Sequence, residues 1–303
     1  MKRIFILNVL ALCLISLSAP QAAAQKRGPV ASGPAKVDSK IPTHLKDLAV
    51  ETGTQPKILG TSGSSVYSVN PSNGASTHIS VPKYLSGMSM EFVGFAQAGN
   101  TLYGLTSASQ SNQTYRSSIF SIGPEQGSNR YGTLNNWSAL TLNGNRVYCI
   151  GEGDLAHDRS GKSGGLLYAT CQNGGWKLLA INPNSGVAVV KGTLLPANGI
   201  FSALAFNLAG DLYALDTHNR KLLRLDKNSA TVLQTIPLTG TLPNTSTQGA
   251  MGFSDIGGLY AAFGGAFVSI NPADGAVGII RPTNYGYISG LAVWGGSHPV
   301  KHQ

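Results

Sequence analysis

Two short runs hold most of the side chains able to move a proton or grip a cation. One is Asp216-Thr217-His218, a carboxylate two residues from an imidazole. The other is Glu152-Gly153-Asp154-Leu155-Ala156-His157-Asp158-Arg159, followed by the loose Ser160-Gly161-Lys162-Ser163-Gly164. The second run packs three carboxylates and a histidine into seven residues of a chain that has only 13 Asp and Glu in all. Such spacing suits a general acid and base, or oxygen and nitrogen ligands for Ca²⁺ or a transition metal. Asp216, His218, His157 and Glu152 are therefore the candidate catalytic residues. Each also has a purely architectural reading: Asp216 as the cap of a turn, and 152–159 as a solvated polar loop. The Asp-x-Asx-x-Asx-Gly pattern of a calcium loop is absent, and so are His-Glu-x-x-His and Cys-x-x-Cys. No cofactor is expected, with a Ca²⁺ ion as the alternative.

The elements that must position these residues follow from composition. Of 303 residues, 42% are hydrophobic and 12% charged, with 38 Gly and 15 Pro. Low charge with ample apolar content excludes a disordered chain. Short runs of Tyr, Val, Ile and Leu broken by Gly, Asn and Ser point to many short strands, and no long window keeps a helical period. The net charge of +9 comes from scattered Lys and Arg with no nucleic-acid-binding motif among them, so no nucleic acid is expected.

The chain then repeats itself. A turn of the form Asn-Pro-x-x-Gly occurs at 70–74, 123–127 (with Gly for Asn), 182–186 and 271–275, and a degenerate copy at 226–230. Proline presets the second position of such a turn, Asn or Asp accepts local backbone bonds, and the closing Gly takes positive φ. Upstream lies a large apolar residue followed by Tyr: Leu102-Tyr103, Val147-Tyr148, Leu212-Tyr213 and Leu259-Tyr260. The unit is a four-stranded meander, and successive turns lie 53, 59, 44 and 45 residues apart. That period is the mark of propeller blades, which must stack to cover both their faces.

The fold expected is therefore an all-β, five-bladed β-propeller of four-stranded antiparallel blades. Ile288 to Val293 looks like the first strand of a unit that then stops, while 57–79 supplies only later strands, so pairing of the two ends should close the ring. The long third interval contains both Val147-Tyr148 and Leu166-Leu167-Tyr168 as Leu-Tyr strands, which implies an inserted hairpin or a sixth short blade; the hairpin is preferred. With Val147–Gly151 as a second strand, the loops at 152–159 and 216–218 should open on the same face.

Lys2 and Arg3, the apolar run Ile4–Leu17 and Ala22-Ala23-Ala24 form a signal peptide over 1–24. That run is too short to span a bilayer. Residues 25–55 form a linker, 56–296 the propeller and 297–303 a tail. An exported, periplasmic or secreted, monomeric protein without a membrane span is expected. Beyond Cys13 the chain has only Cys149 and Cys171, which in an oxidising compartment should pair, closing a 22-residue interval worth about 3 kcal/mol.

The fragment Leu212-Tyr213-Ala214-Leu215-Asp216-Thr217-His218-Asn219-Arg220-Lys221-Leu222-Leu223-Arg224-Leu225 resembles the NHL repeat, and the whole resembles in outline the NHL and SMP-30-like propellers. The resemblance implies the fold; those families include lactonases, lyases and pure binding modules. A lactonase-like site would draw Glu91, Asn136 and Asn198 toward a central cation, with Glu91 opening the first strand of its blade and the two Asn preceding theirs. Met90 stands where that family's Gly-Glu-Gly-Pro context would have Gly.

A recognition surface would use other residues, on loops between blades: Tyr84, Arg130, Tyr131, Asn136, Asn198, Arg281, Tyr285 and Tyr287. Aromatic faces beside amide and guanidinium donors suit neutral polar ligands such as sugars. The reading adopted is an exported module that binds a polar small molecule, carbohydrate or envelope or extracellular protein on one face. The alternative is a secreted lyase or hydrolase using the acid and His residues of the same face.

Overall fold

The structure is a computed structural model that describes residues 56–80, 91–98, 101–106, 117–124, 131–147, 149, 153–172, 174–244, 248–282 and 288–294. The chain divides into two compact units, residues 1–38 and 39–303, and every described residue belongs to the second. Its regular structure is strand throughout, and no described helix is long and apolar enough to cross a membrane.

Five small sheets form the five blades of the propeller. In the first blade β1 (Lys57–Ser62), β2 (Ser65–Val69) and β3 (Ser76–Ser80) run outward from the axis. The second holds β4 (Phe92–Ala98), β5 (Thr101–Thr106), β6 (Ser118–Pro124) and β7 (Tyr131–Ala139). A small hairpin, β8 (Thr141–Leu142) and β9 (Asn145–Arg146), leads to the third blade: β10 (Leu155–His157), β11 (Leu167–Gln172), β12 (Trp176–Ile181) and β13 (Val187–Thr193). The fourth is β14 (Ala203–Phe206), β15 (Leu212–Asp216), β16 (Lys221–Leu225) and β17 (Val232–Pro237). After β18 (Thr239–Gly240) the fifth is β19 (Gly249–Phe253), β20 (Leu259–Phe263), β21 (Ala266–Ile270) and β22 (Ala276–Pro282). Finally β23 (Gly290–Trp294) returns to the first blade and pairs antiparallel with β1, Leu59 opposite Ala292. The expected ring closure by the two ends of the propeller is present.

Burial on both faces explains why the inner strands carry unbroken apolar runs. In β15 alternate side chains serve different neighbours. Leu212 and Ala214 pack with the third blade, Tyr213 and Leu215 with the fifth. The core is thus five wedges, one in each cleft between adjacent blades. The Leu-Tyr signature has a specific role in two of them. The Tyr168 ring meets Phe206 at 5.1 Å and Tyr213 meets Phe253 at 5.4 Å, each joining a second strand to the axial strand of the next blade.

The Asn-Pro-x-x-Gly turns join the third and fourth strands of their blades. In each of the four described copies the closing N–H donates to the first residue's carbonyl at 2.8 Å: Gly74 to Asn70, Gly186 to Asn182, Ala230 to Asp226 and Gly275 to Asn271. All four closing residues have positive φ, between 59° and 76°. Gly186 and Gly275 have room for nothing larger, since a Cβ there would lie 2.4 Å from the Ala139 carbonyl oxygen and 2.1 Å from that of Pro237. These turns seat each blade on the one before it. The copy at 123–127 lies partly outside the described residues.

Two blades exceed four strands. The chain leaving β7 pairs in parallel with β13 through β8, and β18 pairs in parallel with β22, so a strand edge is covered at each place. The β8–β9 hairpin is the insertion that lengthens the third interval. Leu167-Tyr168, in β11, is the second strand of the third blade, whereas Val147 lies in the segment between β9 and β10. The Cys149–Cys171 disulfide ties that segment to β11.

Candidate functional site

Aligning the axial strands by their hydrogen-bonded partners brings Gly94, Asp154, Ala203, Ala250 and Gly290 to one level of the ring. Four are Gly or Ala; the third blade has an aspartate. Space at that level is tight: a Cβ on Gly94 would sit 2.5 Å from the Leu155 nitrogen, and one on Gly290 2.7 Å from the Phe95 nitrogen. Into this constriction Asp154 points a wholly buried carboxylate. Its Oδ1 accepts the Leu155 N–H at 2.8 Å, and Oδ2 accepts those of Leu204 at 2.9 Å and Met251 at 3.3 Å. The Phe95 N–H is a further donor. Burial pushes the Asp154 carboxyl well above the usual range, and the four backbone donors pull against that rise.

Further along the axis is a cavity of about 30 Å³, room for about one water molecule, lined by Phe95, Leu155, Leu204, Met251 and Leu291. His157 and Arg159 stand at its far end. His157 ends β10, the place Phe206 and Phe253 take in the next two blades. Its Nδ1 is buried without a hydrogen-bond partner, and burial lowers its pKa, favouring the neutral ring. Arg159 ion-pairs with Asp255 and donates through Nη2 to the carbonyls of Phe253, at 2.7 Å, and Val293. One guanidinium thereby rivets the third blade to the fifth and the first.

Asp158 is buried beside it in a different network. Lys227, from the turn of the fourth blade, donates to Asp158 Oδ2 at 2.7 Å and to Ser163 Oγ at 2.9 Å; Ser160 and Ser163 also donate to the carboxylate. Burial works to raise Asp158, but these hydrogen bonds prevail and hold it at about 2. The loop contains Gly161-Lys162-Ser163-Gly164-Gly165, which has the Gly-x-Ser-x-Gly spacing of a nucleophile elbow. Here the spacing joins strand β10 to strand β11 instead of a strand to a helix. A carboxylate this acidic is a poor base for the Ser163 hydroxyl near neutral pH.

Asp216 ends β15 at the opposite end of its blade. Its Oδ1 accepts from Ile200 N–H at 3.2 Å and Asn219 N–H at 3.0 Å, and Oδ2 from Asn219 Nδ2 at 2.7 Å. The buried carboxylate thus caps the β15–β16 turn and pins the incoming segment, while His218 is exposed. The two acid/His runs do not share a face. The loop after His157 lies beside 207–211, where Lys162 donates to the Ala209 carbonyl, whereas Asp216 lies beside Ile200 at the start of β14. The expectation failed because β10 is an axial strand, so its following loop emerges where the β15–β16 turn does not.

Among the residues expected to bind, Asn198 is exposed between β13 and β14, and Arg281 is exposed near the end of β22. Tyr131 and Asn136 lie within the outer strand β7, so Asn136 does not precede an axial strand; Glu91 is exposed just ahead of β4, as expected. Glu152, Tyr84, Arg130, Tyr285 and Tyr287 lie outside the described residues. The roles of Asp154 and Arg159 escaped the sequence, although the alignment of axial strands would have shown an acid at a Gly/Ala position. Among the described residues no group of three or more His, Cys, Asp and Glu is placed to hold a metal ion.

No family model and no curated protein matches the chain. Solved structures do, at low identity. The nidogen/laminin complex shares 11% identity over 78% of this chain and 98% of the other, with a TM-score of 0.46. The PQQ-bound aldose sugar dehydrogenase of Streptomyces coelicolor shares 12% over 80% and 85%, at 0.42, and a streptogramin B lyase 13% over 78% and 70%, at 0.39. The neighbours are β-propeller proteins, and the likeness goes no further than the fold.

Proposed function

We propose that this protein is an exported recognition module whose propeller presents one face to a carbohydrate or to an envelope or extracellular protein. The carrying observation is the engagement of its buried acids. Asp154, Asp158 and Asp216 each spend their oxygens on framework donors, and His157 and His218 lie at opposite ends of the blades. Acid/base catalysis needs a carboxylate and an imidazole that converge on one open site; these buried acids are committed to the framework instead, which favours binding over lyase or hydrolase chemistry. The face where the axial strands begin is the natural one for a ligand, with Asn198 exposed there. The disulfide fits an oxidising compartment, and the likeness of 212–225 to the NHL repeat belongs to the same reading.

The test is a binding survey of the purified chain against arrayed polysaccharides and extracellular matrix or envelope proteins, followed by calorimetry. Asn198→Ala and Arg281→Ala should weaken the resulting affinity about tenfold or more, roughly 1.4 kcal/mol, without lowering stability. Hydrolytic or lyase turnover abolished by Ser163→Ala, or by Asp216→Asn with the fold intact, would overturn the reading.

A further inference from the structure

One residue beyond the level of Gly94, Asp154, Ala203, Ala250 and Gly290, the five axial strands carry Phe95, Leu155, Leu204, Met251 and Leu291, each with a backbone N–H. The first four donate to a single carboxylate. We propose that this level is an anion-binding ring for a carboxylate group, and that Asp154 is its built-in ligand. Three further blades donate to a carboxyl group carried by the third, so the ligand is what draws their axial strands to a common centre.

Three observations support it. The other four side chains at that level are Gly or Ala, which leaves the centre to one substituent. Among the described residues only N–H donors reach the carboxylate: the ion pairs there are Arg159–Asp255 and Lys227–Asp158, and neither touches Asp154. The carboxylate is also wholly buried, so while it is in place no bulk solvent competes for these donors. Without the carboxylate the ring offers several convergent N–H donors at one centre, and a small carboxylate presents more acceptor lone pairs to them than a water molecule does.

The experiment is rescue by a free carboxylate. Asp154→Ala removes the carboxylate and leaves a space of its size; formate fits that space and benzoate does not. Thermal unfolding of Asp154→Ala is followed against sodium formate and against sodium benzoate at equal ionic strength. Formate should raise the midpoint saturably, by about 5 °C when in large excess over its Kd, and benzoate should not. The wild-type protein should respond equally to the two salts. Equal responses of Asp154→Ala to formate and benzoate overturn the proposal. Where Asp154→Ala does not stay folded, it is refolded from urea in each salt, and a higher folded yield in formate supports the ring while equal yields overturn it. Hydrogen exchange adds a second readout: the amides of Phe95, Leu155, Leu204 and Met251 should lose protection together in Asp154→Ala and regain it together in formate.

Discussion

Ala230 of the fourth blade lies directly against Gly192 of the third. Ala230 closes its turn at φ 59°, and a Cβ on Gly192 would come within 2.9 Å of the Ala230 Cβ and 2.2 Å of the Ser229 carbonyl oxygen. The other described turns of this kind end in Gly. Here the side chain has moved to the closing residue, and the neighbouring blade supplies the missing atoms' space.

Ala at positive φ stores strain that Gly does not. Ala230→Gly should therefore be neutral to stabilising, by up to about 1 kcal/mol after the entropy of the unfolded chain is counted. Gly192→Ala should destabilise by about 1–3 kcal/mol through overpacking. The double variant should remain below wild type, because the Ser229 oxygen still blocks a Cβ at 192. Urea unfolding measures all three.

Asp158 should give the fold an acid limb. Its folded value of about 2 lies below the ordinary 3.8, so its contribution is full above about pH 4 and is lost as pH falls through 2. The shift corresponds to roughly 2 kcal/mol. Asp158→Asn should be less stable at pH 6 and show a flatter stability profile between pH 4 and 2. A profile as steep as wild type would assign the acid limb to other groups.

Asp216 and His218 separate framework from surface. Asp216→Ala leaves the N–H groups of Ile200 and Asn219 without their acceptor and should cost about 1–3 kcal/mol. His218→Ala, at an exposed turn position, should stay within about 0.5 kcal/mol of wild type. Chemical denaturation of the two variants side by side checks this.

Reduction of Cys149–Cys171, or its replacement by two serines, should lower stability by about 3 kcal/mol. Hydrogen exchange should show the loss first in the β8–β9 hairpin and the segment after it, with β14–β16 little affected.

The architecture was legible because its signals are local. The Asn-Pro-x-x-Gly turns and Leu-Tyr strands announce themselves within five residues, and their spacing gives the blades. The third blade misled because Val147-Tyr148 imitates a second strand, and a one-strand slip there moves the following loop to the other end of the ring. Asp154 was hidden for a related reason. Its partners Phe95, Leu204 and Met251 come from three other blades, so no window of sequence contains them. Asp216 was the opposite case: its capping partner Asn219 is three residues away, and the turn role could be anticipated.

The borrowed strand β23 has a consequence for how the molecule is made. A chain emerging in order presents four blades and three-quarters of a fifth unit before residues 290–294 appear, and until then the ring gapes at β1. Final locking therefore waits on residues 290–294, and clipping near 288 is a single cut able to spring the circle open.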